Sequence, residues 1–264
     1  MVRIALGLEY DGSTFCGWQS QPGGCGVQDA LESALHAIAG EPIRVAAAGR
    51  TDTGVHALMQ VVHFDTAASR SETAWVRGVN SHLPPSVAVR WARVVDMAFH
   101  ARYSAQERCY RYILLNRSVR PALDQGRVGW FHTPLDGAAM REAAGILLGE
   151  HDFSAFRAAE CQAKSPVRTI RRLDIAQRGE SFIIDICADA FLHHMVRNIV
   201  GGLVYVGKGK HGPEWLGRVL ASRDRKLAAP TFSPDGLYLA QVRYEVRWGL
   251  PERPLANPAA CPEF

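Results

Sequence analysis

The chain has 264 residues, of which 47% are hydrophobic and 21% charged, with a formal net charge of +4. That length can bury a substantial core, as one large domain or as two fused halves, and the composition is that of an ordinary globular protein. No apolar run reaches membrane-spanning length, and residues 1–4 lead straight into strand-like sequence rather than a signal peptide, so a cytoplasmic protein is expected.

Taken in order, residues 3–10 alternate as a strand ended by Asp11-Gly12-Ser13. Val27, Leu31, Leu35 and Ile38 keep helical spacing, and Gly40 closes that helix. Residues 43–48 and 58–64 read as strands on either side of a polar loop, with Leu58, Val62 and Phe64 facing one way and Met59, Val61 and His63 the other. A short helix over 72–81 is stopped by Leu83-Pro84-Pro85, and strands follow at 87–95 and 107–115. In the second of these, Tyr110 and Tyr112 share a face. Asp136 caps a helix that turns Met140, Ala143, Ala144, Leu147 and Leu148 inward. His151-Asp152 reads as a capped turn, because no third metal ligand lies at suitable spacing. Paired strands over 168–176 and 182–188 turn at Arg178-Gly179-Glu180.

A helix near 191–206 puts Leu192, Met195, Val196, Ile199 and Leu203 on one apolar face, which turns His193, Arg197 and Asn198 elsewhere. Adjacent His193 and His194 should diverge on a helix, so they make a poor metal pair. A helix near 213–221 and a strand over 236–244 complete the pattern, and the proline-rich tail from Gly249 should be peripheral. The six cysteines are scattered with no C-x-x-C pair, so reduced thiols are expected. The thirty cations include only four lysines; arginine forks suit phosphates and stack on bases, although codon bias would give the same excess.

The polar loop is Gly49-Arg50-Thr51-Asp52-Thr53-Gly54-Val55-His56-Ala57. Glycines near both ends let backbone approach a ligand, and loops held by a rigid sheet often carry chemistry. Asp52 alone would read as a turn aspartate bonding its own backbone. The whole nonapeptide, however, resembles the signature of the TruA family of tRNA pseudouridine synthases. The stretches Tyr10-Asp11-Gly12-Ser13-Thr14-Phe15-Cys16-Gly17-Trp18-Gln19 and Phe191-Leu192-His193-His194-Met195-Val196-Arg197-Asn198-Ile199-Val200-Gly201 are also similar to family blocks. The resemblance runs from Tyr10 to about Tyr244. Thr53 and Met59 depart from it where smaller residues are expected, and Phe232-Ser233 replaces a segment usually written with alanine and proline.

The resemblance implies an α/β (α+β) fold with a mostly antiparallel central sheet flanked by helices; the order of elements, with no detectable sequence repeat, points to two similar halves fused into one unit. The expected divisions are 1–105 with the catalytic loop, 106–248, and a tail over 249–264. It implies an isomerase of uridines 38, 39 and 40 in the tRNA anticodon arm, working as a homodimer with no cofactor and no metal. Asp52 would be the nucleophile, Arg197 its ion-pair partner and Tyr110 the ring that stacks on the target base, with Arg50 and Leu237 also binding substrate. The chemistry breaks C1′–N1 and joins C1′ to C5, so nothing is oxidised and no group is transferred. A carboxylate can attack the sugar or the ring, or assist proton removal. Pressed against a base it loses water, which disfavours its charge, and a nearby guanidinium opposes that effect. Two other readings are an RNA-binding scaffold without activity, which the intact Asp52 block disfavours, and a metal-dependent phosphoesterase, which lacks a ligand cluster.

Overall fold

The alternation at the start of the chain becomes strand β1 (Val2–Tyr10), followed by helix α1 (Val27–Ala39), β2 (Ala46–Ala47), β3 (His56–Thr66), α2 (Glu72–His82) and β4 (Val87–Val95). Strand β5 (Ala105–Asn116) leads on to β6 (Gly129–Phe131), α3 (Gly137–Gly145), β7 (Gly149–Asp152), β8 (Val167–Arg178), β9 (Ser181–Ala188), α4 (Met195–Gly207), α5 (Glu214–Ser222) and β10 (Leu237–Tyr244). This computed structural model describes residues 1–252 and 255, so most of the tail expected to be peripheral, with Cys261, lies outside the described residues. Among the described residues no helix is long and apolar enough to cross a membrane.

The fold is mixed α/β with mostly antiparallel pairing, and it divides into two units, Met1–Glu107 with Tyr238–Leu255 and Arg108–Leu237. In the first unit β1 lies between β4 and β3, antiparallel to both, with Leu6 opposite Val62 on one side and Ala92 on the other. A strand with neighbours on both edges and cover on both faces loses its polar alternation, and β3 accordingly buries nine of its eleven residues. Trp75 of α2 meets Phe64 edge-on at 5.3 Å between ring centres. Gly40, at φ 74°, ends α1 by donating its N–H to the His36 carbonyl at 2.9 Å. Sequence order groups the last strand with the residues before it, whereas β10 runs parallel to β3, with Tyr238 opposite His56, and belongs to the first unit. The strand expected over 43–48 shrinks to Ala46–Ala47, because the Val45 N–H is taken by the Glu32 carboxylate at 3.0 Å.

The second unit is ordered β5, β9, β8, β7, all antiparallel, with β6 parallel to β5. Arg111 and Asp185 stand directly opposite each other and form a two-pronged ion pair at 2.7 and 2.8 Å, both side chains buried. The segment read as a turn at His151-Asp152 is strand β7, pairing with β8, although Asp152 also accepts the Ser154 N–H at 2.9 Å.

Three local expectations are corrected. Helix α4 begins at Met195, not near Phe191, so His193 and His194 precede it; with His194 at φ 61° their rings lie 4.0 Å apart instead of diverging. Asn198 is fully buried, since α4 is covered nearly all round rather than on one stripe. Four cysteines are paired, Cys16 with Cys25 and Cys109 with Cys187, while Cys161 is free and buried. Strand register places Cys109 opposite Cys187, a proximity that 78 residues of separation concealed.

Candidate active site

Of the residues singled out in sequence, Arg50 and Asp52 fall in the first unit and Tyr110, Arg197 and Leu237 in the second. Each group is built from its own surroundings.

In the first unit, the loop between β2 and β3 is fixed by a series of hydrogen bonds. Ala48 donates its N–H to Val61 O at 2.8 Å, and Gln60 donates from Nε2 to Gly49 O at 2.7 Å. Thr51 is buried, with Oγ1 2.8 Å from the Tyr10 hydroxyl, and its carbonyl accepts the Trp18 N–H at 2.9 Å. Val55 donates to Asp52 O at 3.1 Å, and Gly54 takes φ 79° to close the turn. That tight turn holds Asp52 half-buried between exposed Thr53 and buried Thr51 while Arg50 projects into solvent.

Residues 11–18 clamp this loop by close backbone approach. A Cβ on Gly12 would overlap the Val55 carbonyl, and one on Gly17 would stand 2.9 Å from Thr51 O and 3.1 Å from the Asp52 carbonyl carbon. Gly12 donates its N–H to His56 Nδ1 at 3.1 Å, and the His56 ring stacks on Tyr238 at 4.6 Å. Burial pushes the Tyr10 hydroxyl up to about 12, so it stays a neutral partner for Thr51. Tyr10, Trp18 and His56 lie inside the motif blocks, but nothing in their spacing signals that they hold the loop.

In the second unit, Tyr110 is 8% exposed on β5, its ring edge-on to Phe191 at 5.0 Å. Arg197 leaves the first turn of α4 and donates from Nε to Phe232 O at 2.9 Å, while Phe232 N–H donates back to Arg197 O at 3.2 Å. The departure at Phe232-Ser233 is therefore the segment that Arg197 grips. Beneath it Tyr112 donates its hydroxyl to Ser233 O at 3.0 Å and meets Phe232 edge-on. Its pKa is raised well above the ordinary tyrosine value by burial first and then by the Asp235 charge, against which Arg197 acts. Leu237 is buried, its N–H held by Pro234 O at 3.0 Å.

A polar knot behind Arg197 escaped the sequence. Asn198 donates to Phe156 O at 2.7 Å and accepts from Thr231 Oγ1 at 2.7 Å and from Arg225 at 3.0 Å. Arg225 also donates to Ala229 O at 2.8 Å. Helix and segment are thus tied together on either side of Arg197. Only the burial of Asn198 could have announced this, and its helical position hides that.

Chemically, the first unit offers a carboxylate on a braced loop, and the second offers a guanidinium and an aromatic ring on braced backbone. A carboxylate held on a braced loop can do covalent work as a nucleophile. A family model described as tRNA pseudouridine synthase matches residues 8–104 and 143–245. The chain belongs to that family, a class of isomerases. It is 65% identical over 252 residues to tRNA pseudouridine synthase A of Thiobacillus denitrificans, covering 96% of this chain and 97% of that protein. The namesakes from Methylobacillus flagellatus, 63% over 250 residues, and Chromobacterium violaceum, 62% over 253, are similar over 95% and 96% of this chain and 96% and 97% of theirs.

Proposed function

We propose that this protein converts uridines 38, 39 and 40 in the anticodon stem-loop of tRNAs to pseudouridine. The observation that carries the reading is the Asp52 loop, in which Gly49, Thr51 and Val55 are held by hydrogen bonds while the carboxylate itself is only half-buried. Asp52 is the nucleophile. It acts once the target nucleotide has left its stack, at a cost of a few kcal/mol. Tyr110 recovers ~1–3 kcal/mol of that by stacking on the base. Arg50, exposed beside the nucleophile, holds the flipped nucleotide's backbone, and Leu237 forms the floor of the base site. Arg197 is the cation that keeps Asp52 charged as the base excludes water.

In the reaction the C1′–N1 bond breaks, the uracil turns, C1′ bonds to C5, and the C5 proton is replaced by one on N1. The balance calls for no oxidant and no group acceptor. The working form is a cytoplasmic homodimer.

The test is incubation of purified protein with unmodified tRNA in the presence of a chelator, with pseudouridine mapped by position. Product at 38, 39 and 40 supports the reading; modification elsewhere, or none, overturns it. Arg197→Met should lose activity and Arg197→Lys retain part of it, because the second keeps a charge for Asp52. Equal activity in the two would remove Arg197 from the role. Raising salt from roughly 50 to 200 mM should weaken tRNA binding ~10²–10³-fold for about five phosphate contacts.

A further inference from the structure

At the C-terminal end of α4 the chain reverses through Gly209, at φ 72°. Lys210 N–H donates back to Tyr205 O at 3.1 Å, and Lys208 N–H to Val204 O at 3.0 Å. The reversal brings both ammonium groups over one ring, with Lys208 Nζ 4.3 Å and Lys210 Nζ 4.1 Å from the Tyr205 centroid. Tyr205 in turn stacks on Trp215 at 6.1 Å, and Trp215 on His211 at 4.3 Å with 18° between planes. Lys208 also reaches the Phe131 ring, at 5.8 Å.

The rings are half-buried and the two lysines exposed. Among the described residues neither ammonium is paired with a carboxylate; the neighbouring Glu214 is engaged by Arg218 at 3.2 Å. The local potential is positive: the His211 pKa is lowered by burial first and then by the charges of Lys210 and Arg218, with Glu214 opposing. Only four lysines occur in the chain, and two of them are here. A lysine is a compact point charge suited to phosphate, and rings interleaved with cations are a stacking and backbone-tracking surface for RNA. Cations at a helix C-terminus are also held by the negative end of its dipole.

We infer that Lys208, Lys210 and the ring stack behind them form a second RNA contact, which grips tRNA backbone away from the target uridine. Tyr205 lies eight positions along α4 from Arg197, about 12 Å at helical rise. That is too far to serve the reacting nucleotide and suits a flanking stretch of strand. The inference rests on the tRNA reading above.

Its test is the salt dependence of binding of an unmodified tRNA transcript to the full-length protein. Two phosphate contacts contribute about 1.4–1.8 to the slope of log K against log salt. Lys208→Ala with Lys210→Ala should lower the slope by that amount, with an unchanged melting profile, while Lys208→Arg with Lys210→Arg should keep it. A normally folded double alanine variant with the wild-type slope overturns this contact, and if the wild type still forms pseudouridine, only this contact. A wild type that neither binds nor modifies tRNA overturns the functional reading and this contact with it. A slope lost equally by the alanine and arginine pairs also overturns it, since shape and not charge would then matter.

Discussion

Residues 49–55 and residues 229–236 are both irregular stretches bearing or flanking a side chain with a proposed role, and they are held by different means. The first is held largely by backbone: glycines let two loops touch main chain to main chain, and carbonyls receive N–H groups from Trp18, Val55 and the Gln60 amide. The second is held largely by side chains, with Arg197, Arg225, Asn198, Thr231 and Tyr112 reaching its carbonyls or one another. Backbone bracing leaves little room for adjustment, which suits an atom that must form and break a covalent bond. Side-chain bracing is longer-armed and suits a charge that acts through space.

The sharpest way to break this contrast is at Asp52, the proposed nucleophile. Asp52→Asn and Asp52→Ala should lower turnover by at least about 10³-fold while melting temperature and tRNA affinity stay near wild type. Substantial turnover by either would return Asp52 to the status of a turn residue. The next largest effect should come from Gly12→Ala, whose methyl meets the Val55 carbonyl. Overpacking of this kind costs ~1–3 kcal/mol, and a shift of the loop by about 1 Å should cost roughly 10²-fold in rate. Unchanged kinetics would mean that the backbone clamp does not position Asp52.

Asn198→Ala tests the side-chain brace. It strands the Phe156 carbonyl and removes one acceptor from Arg225 and from Thr231, so thermal unfolding should register a loss of about 1–3 kcal/mol. The rate should fall by only about tenfold, less than for Gly12→Ala because longer arms readjust. A larger kinetic loss than that of Gly12→Ala would reverse the comparison.

The smallest effect should lie outside both stretches. Burial first, and then the charges of His100 and Arg3, lower the His63 pKa to about 4. A histidine that binds its proton less readily when folded stabilises the protein fully above about pH 6.5. That contribution drains away as pH falls toward 4. His63→Gln should therefore flatten the decline of melting temperature between those values, and an unaltered slope would assign the acid sensitivity to other groups.

How legible these features were follows from how local their causes are. The order of strands and helices, the α1 cap at Gly40 and the Asp52 loop depend on neighbours in sequence, and alternation, helical spacing and glycine placement exposed them. The parallel pairing of β10 with β3, the burial of Asn198 and the Cys109–Cys187 pair depend on residues 78 or more positions apart or on cover from several sides, which no local pattern records. Strand β6 is three residues long, too short for any periodicity to show. At Val45, a carboxylate from α1 outcompeted the ladder for one N–H and shortened a strand that propensity favoured.

The return of β10 to β3 has a consequence for synthesis. The ring that stacks on His56, just after the Asp52 turn, belongs to Tyr238, so the first unit is unfinished while Arg108–Leu237 is being made. At ordinary elongation rates that interval is on the order of ten seconds. Throughout it the nascent chain carries the Asp52 loop but not the strand beside it. With Asp52 as the proposed nucleophile, activity should therefore switch on only after β10 has been made, and a transcript cut short before β10 should yield a chain that contains Asp52 yet modifies nothing.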